Sequence, residues 1–156
     1  MTRARSMTTL AALALTVLAS SDGLAAFKQF AGAQCVRISG GSFAYYGGTI
    51  QNLSSSSTLN VMCPLIRDSA GLDGTQIYVY DRHPSQAVSC NVVAEAYSSG
   101  GLYSEFNTLA STGTGFQVME NWTDLSIGTA FYATCQVPPS SSGNVSHVAT
   151  IITYPL

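Results

Sequence analysis

Ile77-Tyr78-Val79-Tyr80, set between Gly74 and Asp81, alternates at a period of two rather than in threes and fours. A short run of β-branched and aromatic residues bounded by turn formers is the signature of a strand. The same pattern recurs outward along the chain. Val88 to Tyr97 (VSCNVVAEAY) runs into Ser98-Ser99-Gly100-Gly101, Phe131 to Val137 (FYATCQV) stops at Pro138-Pro139, and Val145 to Tyr154 stops at Pro155. Further candidates are Gln34 to Ser39, Phe43 to Asn52, Ser57 to Cys63, Gly101 to Leu109 and Phe116 to Glu120. No apolar stripe of helical period is found beyond the amino-terminal region. The fold class expected is all-β: an antiparallel β-sandwich of about eight or nine short strands. Its Ser- and Gly-rich segments are too short and too evenly spread to divide domains, so residues 26–156 read as one domain.

The amino terminus carries the three parts of a secretory signal. Arg3 and Arg5 form the positive end, Leu10 to Ala19 the apolar core, and Gly23-Leu24-Ala25-Ala26 a small-residue cleavage site. Residues 1–25 are therefore expected to be a signal peptide, cut after Ala25. A ten-residue apolar core is half of the ~20 that a spanning helix needs. The mature chain is expected to have no membrane span and to reside in the periplasm or outside the cell.

Charged residues make up only 9% of the 156 residues, and hydrophobic residues 46%; soluble proteins average roughly 25% charged. This balance excludes a charged disordered tail and a coiled coil. Beyond residue 25, four cations (Lys28, Arg37, Arg67, Arg82) face seven acidic groups, a net of −3. Such a surface has no basic patch for phosphates, so nucleic acid is not an expected partner.

Cys35, Cys63, Cys90 and Cys135 are an even set in an exported chain, which reads as two disulfides with three possible pairings. Sequential pairing closes loops of 28 and 45 residues, and the nested alternative loops of 100 and 27. Loop entropy gives roughly 7.5 and 8 kcal/mol in total, too close to choose. Cys35–Cys63 with Cys90–Cys135 is preferred because each then joins candidate strands in one half of the chain. An immunoglobulin-type domain would place a tyrosine two residues before the second cysteine. Position 133 is alanine, and Trp122 falls far beyond the usual place.

Catalytic chemistry finds little support. There is no G-x-S-x-G elbow. Asp81-Arg82-His83-Pro84-Ser85 gathers acid, base and hydroxyl, yet reads as a turn in which Asp81 caps a strand end. His147 lies within a strand and is expected to share a face with Val145, Ala149 and Ile151. Asp68 and Asp73, with Asp81, could offer oxygens to calcium, but their spacing departs from the regular calcium loop. No enzyme activity and no cofactor are expected. Tyr45, Tyr46, Tyr78 and Tyr80 are the candidate ligand-binding residues, since exposed rings can stack on sugar faces or on a protein partner. Asn52, Asn121 and Asn144 begin glycosylation sequons, matches that a Ser- and Thr-rich chain produces by chance.

Cys63-Pro64-Leu65-Ile66-Arg67-Asp68, then Val79-Tyr80-Asp81, Val88-Ser89-Cys90 and Cys135-Gln136-Val137-Pro138-Pro139 resemble a group of short secreted bacterial β-sandwich proteins of unassigned function. The resemblance implies export, disulfides and one β domain, and no active site. The closing segment, Gly143 and then alternating Val145 to Ile152, is similar to pilus subunits completed by a neighbour's donor strand, although Tyr154 is followed by Pro155 and Leu156. The expected function is a non-enzymatic structural, adhesive or surface-assembly role. The alternatives are a carbohydrate-binding module using its tyrosines and a pilin-like subunit. Expected partners are a glycan or protein at the cell surface, or further copies of the chain.

Overall fold

The computed structural model describes residues 27–66, 72–122 and 130–155. The expected signal peptide and Asp68 of the candidate calcium loop lie outside them. The described residues form eleven strands: β1 (Lys28–Ala31), β2 (Val36–Gly40), β3 (Phe43–Tyr46), β4 (Thr49–Asn52), β5 (Leu59–Leu65), β6 (Leu72–Asp81), β7 (Ser89–Ser98), β8 (Gly101–Ala110), β9 (Gly115–Asn121), β10 (Ala130–Val137) and β11 (His147–Pro155). One 3-10 turn, Gly32–Gln34, separates β1 from β2.

The expected eight or nine strands are thus corrected to eleven, for two physical reasons. The run Phe43 to Asn52 is a hairpin rather than one strand, because Gly47 and Gly48 both adopt positive φ, +56° and +82°. That is the conformation a two-residue hairpin turn requires. The other addition, β1, is four residues long with a single buried side chain, Phe30, and so carries no alternation to read.

Every strand pairing is antiparallel, and the strands form two sheets. The six-stranded sheet runs β3-β4-β11-β6-β9, with β1 also paired to β11; the five-stranded sheet runs β2-β5-β10-β7-β8. Along one edge β11 meets β4 at His147 and Val148, then β1 from Thr150 to Thr153; its other edge pairs with β6.

Alternation decides what lies between the sheets. Ile50, Ile77, Val79, Val148 and Ile151 from one sheet meet Leu59, Val61, Val92, Ala133 and Val137 from the other, all fully buried. Each such aliphatic side chain contributes about 1.5–3 kcal/mol by leaving water. A β-bulge between Val148 and Thr150 breaks the phase of β11. It turns Ile151 into the core while His147 stays on the outer face, correcting the expectation that the two share a face.

The disulfides are Cys35–Cys63 and Cys90–Cys135, the sequential pairing. Both lie inside the five-stranded sheet. Cys90 and Cys135 are direct partners across β7 and β10, and Cys35 stands beside Cys63 next to the Val36–Met62 pair.

Two buried polar side chains close the ends of the sandwich. Asn52 donates to the carbonyls of Ser57, Val137 and Pro138 and accepts from the Ser54 amide, which also removes its sequon from solvent. Asp81 accepts from the Ser111 hydroxyl (2.5 Å), the Ser146 hydroxyl (3.2 Å) and the amides of His83 (3.0 Å) and Val88 (3.1 Å). One carboxylate thereby joins the end of β6 to the starts of β7 and β11 and the end of β8. Asp81→Ala would leave several buried donors without acceptors. We expect a loss of about 3 kcal/mol, read as a lowered denaturant midpoint, with Asp81→Asn recovering part of it.

Candidate functional site

The outer face of β9, β6 and β11 gathers Phe116, Tyr78, Tyr80, Tyr154 and Trp122, and the register explains how. Phe116, Tyr80 and His147 are direct partners across the three strands; two residues further on stand Val118 and Tyr78, then Glu120, Gln76 and Ile152. Beyond these, Tyr154 pairs with Gly74, and Trp122 lies against Gly74 from the other side. A Cβ at position 74 would overlap the six-membered ring of Trp122, so only glycine lets the indole lie against β6. The Trp122 and Tyr154 rings then stand 5.0 Å apart.

Hydrogen bonds hold three of these rings, those of Tyr78, Tyr154 and Trp122. Gln76 Oε1 accepts from the hydroxyls of Tyr78 (3.0 Å) and Tyr154 (2.9 Å), and Gln76 Nε2 donates to Glu120 Oε1 (2.8 Å). The Trp122 indole donates to the other Glu120 oxygen at 3.4 Å. Phe116 sits 5.9 Å from Tyr78 and 6.0 Å from Tyr80. Phe116 and Trp122 are 56% and 55% exposed, which leaves them open to a ligand. The result is a wet, aromatic surface with its polar groups held at known positions.

At one end the stack changes character. Tyr80 lies parallel to His147 at 5.2 Å, and the Arg82 guanidinium sits 4.9 Å from the Tyr80 ring centre. Tyr80 is therefore held between neighbours and less available to a ligand than Phe116. Burial holds the His147 imidazole below its ordinary value; a backbone hydrogen bond at Val145 opposes this, and the Arg82 charge adds to it.

The four candidate tyrosines separate. Tyr78 and Tyr80 come together on this face. Tyr46, 75% exposed, stands at the β3 edge of the same sheet, remote from them in strand order. Tyr45 is half exposed, its ring edge-on to Phe43 at 5.4 Å and its hydroxyl donating to the Cys35 carbonyl at 2.9 Å. The structure adds Phe116, Trp122, Tyr154, Gln76 and Glu120, none of them a candidate from the sequence, to this face. Alternation along Phe116, Val118, Glu120 and Trp122 was there to read; their meeting with β6 needs the register.

The segment from Asp81 to Ser85 forms the expected turn. His83 Nδ1 accepts from the amides of Ser85 (3.2 Å) and Gln86 (2.9 Å), and Asp81 is wholly engaged by its four donors. A cleft between this turn and Ser111–Thr114 has Asp81 among its lining residues, so its carboxylate is already committed to structural bonds. Asp73 is exposed. Among the described residues no group of three His, Cys, Asp or Glu side chains could hold a metal ion, and no helix is long and apolar enough to cross a membrane.

No protein-family model matches this chain, and no curated protein matches it. Among solved structures, similar chains include a low-affinity xylan-binding module, CBM86, from Roseburia intestinalis (TM-score 0.49, 10% identity, 83% of this chain and 95% of that one). A family 6 carbohydrate-binding module gives a TM-score of 0.47 at 12% identity, with 81% and 92% covered. An exo-β-1,3-galactanase from Phanerochaete chrysosporium gives 0.43 at 17% identity, where this chain spans 29% of the larger protein. At these scores and identities no ligand is carried across from any of them.

Trp122 is the only tryptophan in the chain, so its fluorescence reports this face alone. Gly74→Ala should displace the indole, raising its access to acrylamide while the far-ultraviolet dichroism stays that of a β protein. His147 gives a pH signature. Its depressed folded value means that the unfolded chain takes up the proton first. Its contribution to stability is complete above the ordinary histidine value of about 6.5 and lost as pH falls below it. Denaturant midpoints between about pH 7 and pH 5 should therefore fall further in the wild type than in His147→Gln.

Proposed function

We propose that the mature domain is an exported, non-catalytic carbohydrate-binding module that uses the outer face of β9, β6 and β11. The observation that supports this reading most directly is the pair of exposed rings at Phe116 and Trp122: Trp122 is joined to Tyr78 and Tyr154 through the Gln76–Glu120 hydrogen bonds, and Phe116 packs against Tyr78. A sugar ring offers an apolar face and a rim of hydroxyls, which calls for flat aromatic carbon beside fixed donors and acceptors. Because those groups are already bonded to one another, little side-chain freedom is lost on binding. Export follows from the amino-terminal signal pattern, and two disulfides suit an oxidising compartment. Attachment to a surface glycan would also serve an adhesive role. A pilin-like role has less support: β11 is bordered by β6 on one edge and by β4 and β1 on the other, with no gap for a donor strand beside it among the described residues.

Affinity electrophoresis of the mature chain in gels containing soluble glucans, xylan, mannan or galactan tests the proposal. At least one polymer should retard it, and Tyr78→Ala or Phe116→Ala should raise Kd by about tenfold each. Retardation by none of them, or variants that bind like wild type, would remove this reading.

A further inference from the structure

The opposite side of the sandwich is chemically distinct. The outer face of β2, β5, β10, β7 and β8 is arranged in rows by its register. Ser39, Asn60, Gln136 and Ser89 form one row; Met62, Thr134, Asn91 and Thr108 form the next. A third row, Pro64, Tyr132, Val93 and Phe106, is apolar apart from the Tyr132 hydroxyl. Parts of the first two rows line a shallow trough together with Ile38.

Among the described residues no ionised group lines this trough. Arg37, on β2, sits 5.9 Å from the Phe43 ring. Glu95, one row beyond the apolar one, accepts the Tyr132 hydroxyl at 2.5 Å, and that bond is the main reason the phenol is pushed up to about 12. What faces the trough is amide and hydroxyl: groups that both donate and accept, at one per strand and about 4.8 Å apart. Two internal bonds orient them, Asn60 Nδ2 to Ser39 Oγ at 3.0 Å and Thr108 Oγ1 to Asn91 Oδ1 at 2.7 Å. Phe106, 64% exposed, supplies a ring at the edge of the apolar row.

We infer that this face is a second glycan-binding surface, holding a neutral polysaccharide chain laid across the strands. Charge selects the ligand class. A phosphate backbone, an anionic lipid or a uronic acid polymer has no cation to meet here, whereas an uncharged polyol meets a matching donor or acceptor on every strand. The inference shares its ligand class with the proposed function but stands on different residues. Together the two faces would let one domain hold two chains on opposite sides.

The experiment uses the mature chain and three variants: Tyr78→Ala/Phe116→Ala, Asn91→Ala/Gln136→Ala, and all four changes together. Each is titrated calorimetrically with soluble glucans, xylan, mannan and galactan, and with polygalacturonate. We expect neutral polymer to bind the first double variant still, the second double variant to lose about tenfold of that remaining affinity when combined with it, and polygalacturonate to bind no better than neutral polymer. Side-chain amide resonances of Asn60, Asn91 and Gln136 should shift on titration, a readout that does not depend on any substitution. Loss of all binding in Tyr78→Ala/Phe116→Ala with its fold retained would overturn the second surface while leaving the first. Unshifted Asn and Gln amides under saturating polymer would do the same. Loss of binding only in Asn91→Ala/Gln136→Ala would instead overturn the aromatic face and leave the trough. Preference for polygalacturonate would overturn the neutral-ligand inference.

Discussion

Each outward side chain on β6, β11 and β10 stands where it does because its neighbours along the strand are buried. Ile77 and Val79 fill the space between the sheets, so Gln76, Tyr78 and Tyr80 have only the outer face left to them. A slip of one residue in any central pairing would put rings in the core and aliphatics in water. The burial of the aliphatic layer therefore sets both surfaces at once, the aromatic one and the amide-lined one.

The cross-links act on a different level from that layer. Both disulfides tie neighbours within the five-stranded sheet, so the contact between sheets rests on side-chain packing and on Asp81 and Asn52 at the ends. This division has a geometric result. The sheet that presents amides and hydroxyls is covalently held in register, while the sheet that presents rings is held by hydrogen bonds among its own outward groups.

Much of the fold was legible wherever one strand carried its own alternation, as in Val88 to Tyr97 or Phe131 to Val137. Local turn chemistry was legible too, since Asp81 and Pro84 announce a turn without help from distant residues. The features that escaped reading depend on partners far along the chain. Trp122 belongs to the aromatic face because β9 pairs with β6, and no pattern within residues 115–122 states that. The phase of β11 was hidden for another reason: a bulge at Ala149 leaves the composition of the strand unchanged while swapping the faces of every residue beyond it. Strand alternation puts Tyr45 and Tyr46 on opposite faces, so one of the two is expected in water; what the sequence does not say is which, and the Tyr45 hydroxyl goes to the Cys35 carbonyl while Tyr46 is the more exposed.

Gly74 carries a consequence for the relief of the aromatic surface. Strands seen face-on are corrugated, each outward residue making a bump, and a planar ligand laid on them would rock on the highest ones. At position 74 the bump is missing, and the indole of Trp122 settles into that dip beside Tyr154. Levelness here comes from an atom that was left out, and the smallest residue on the face governs how broad an object can rest on it.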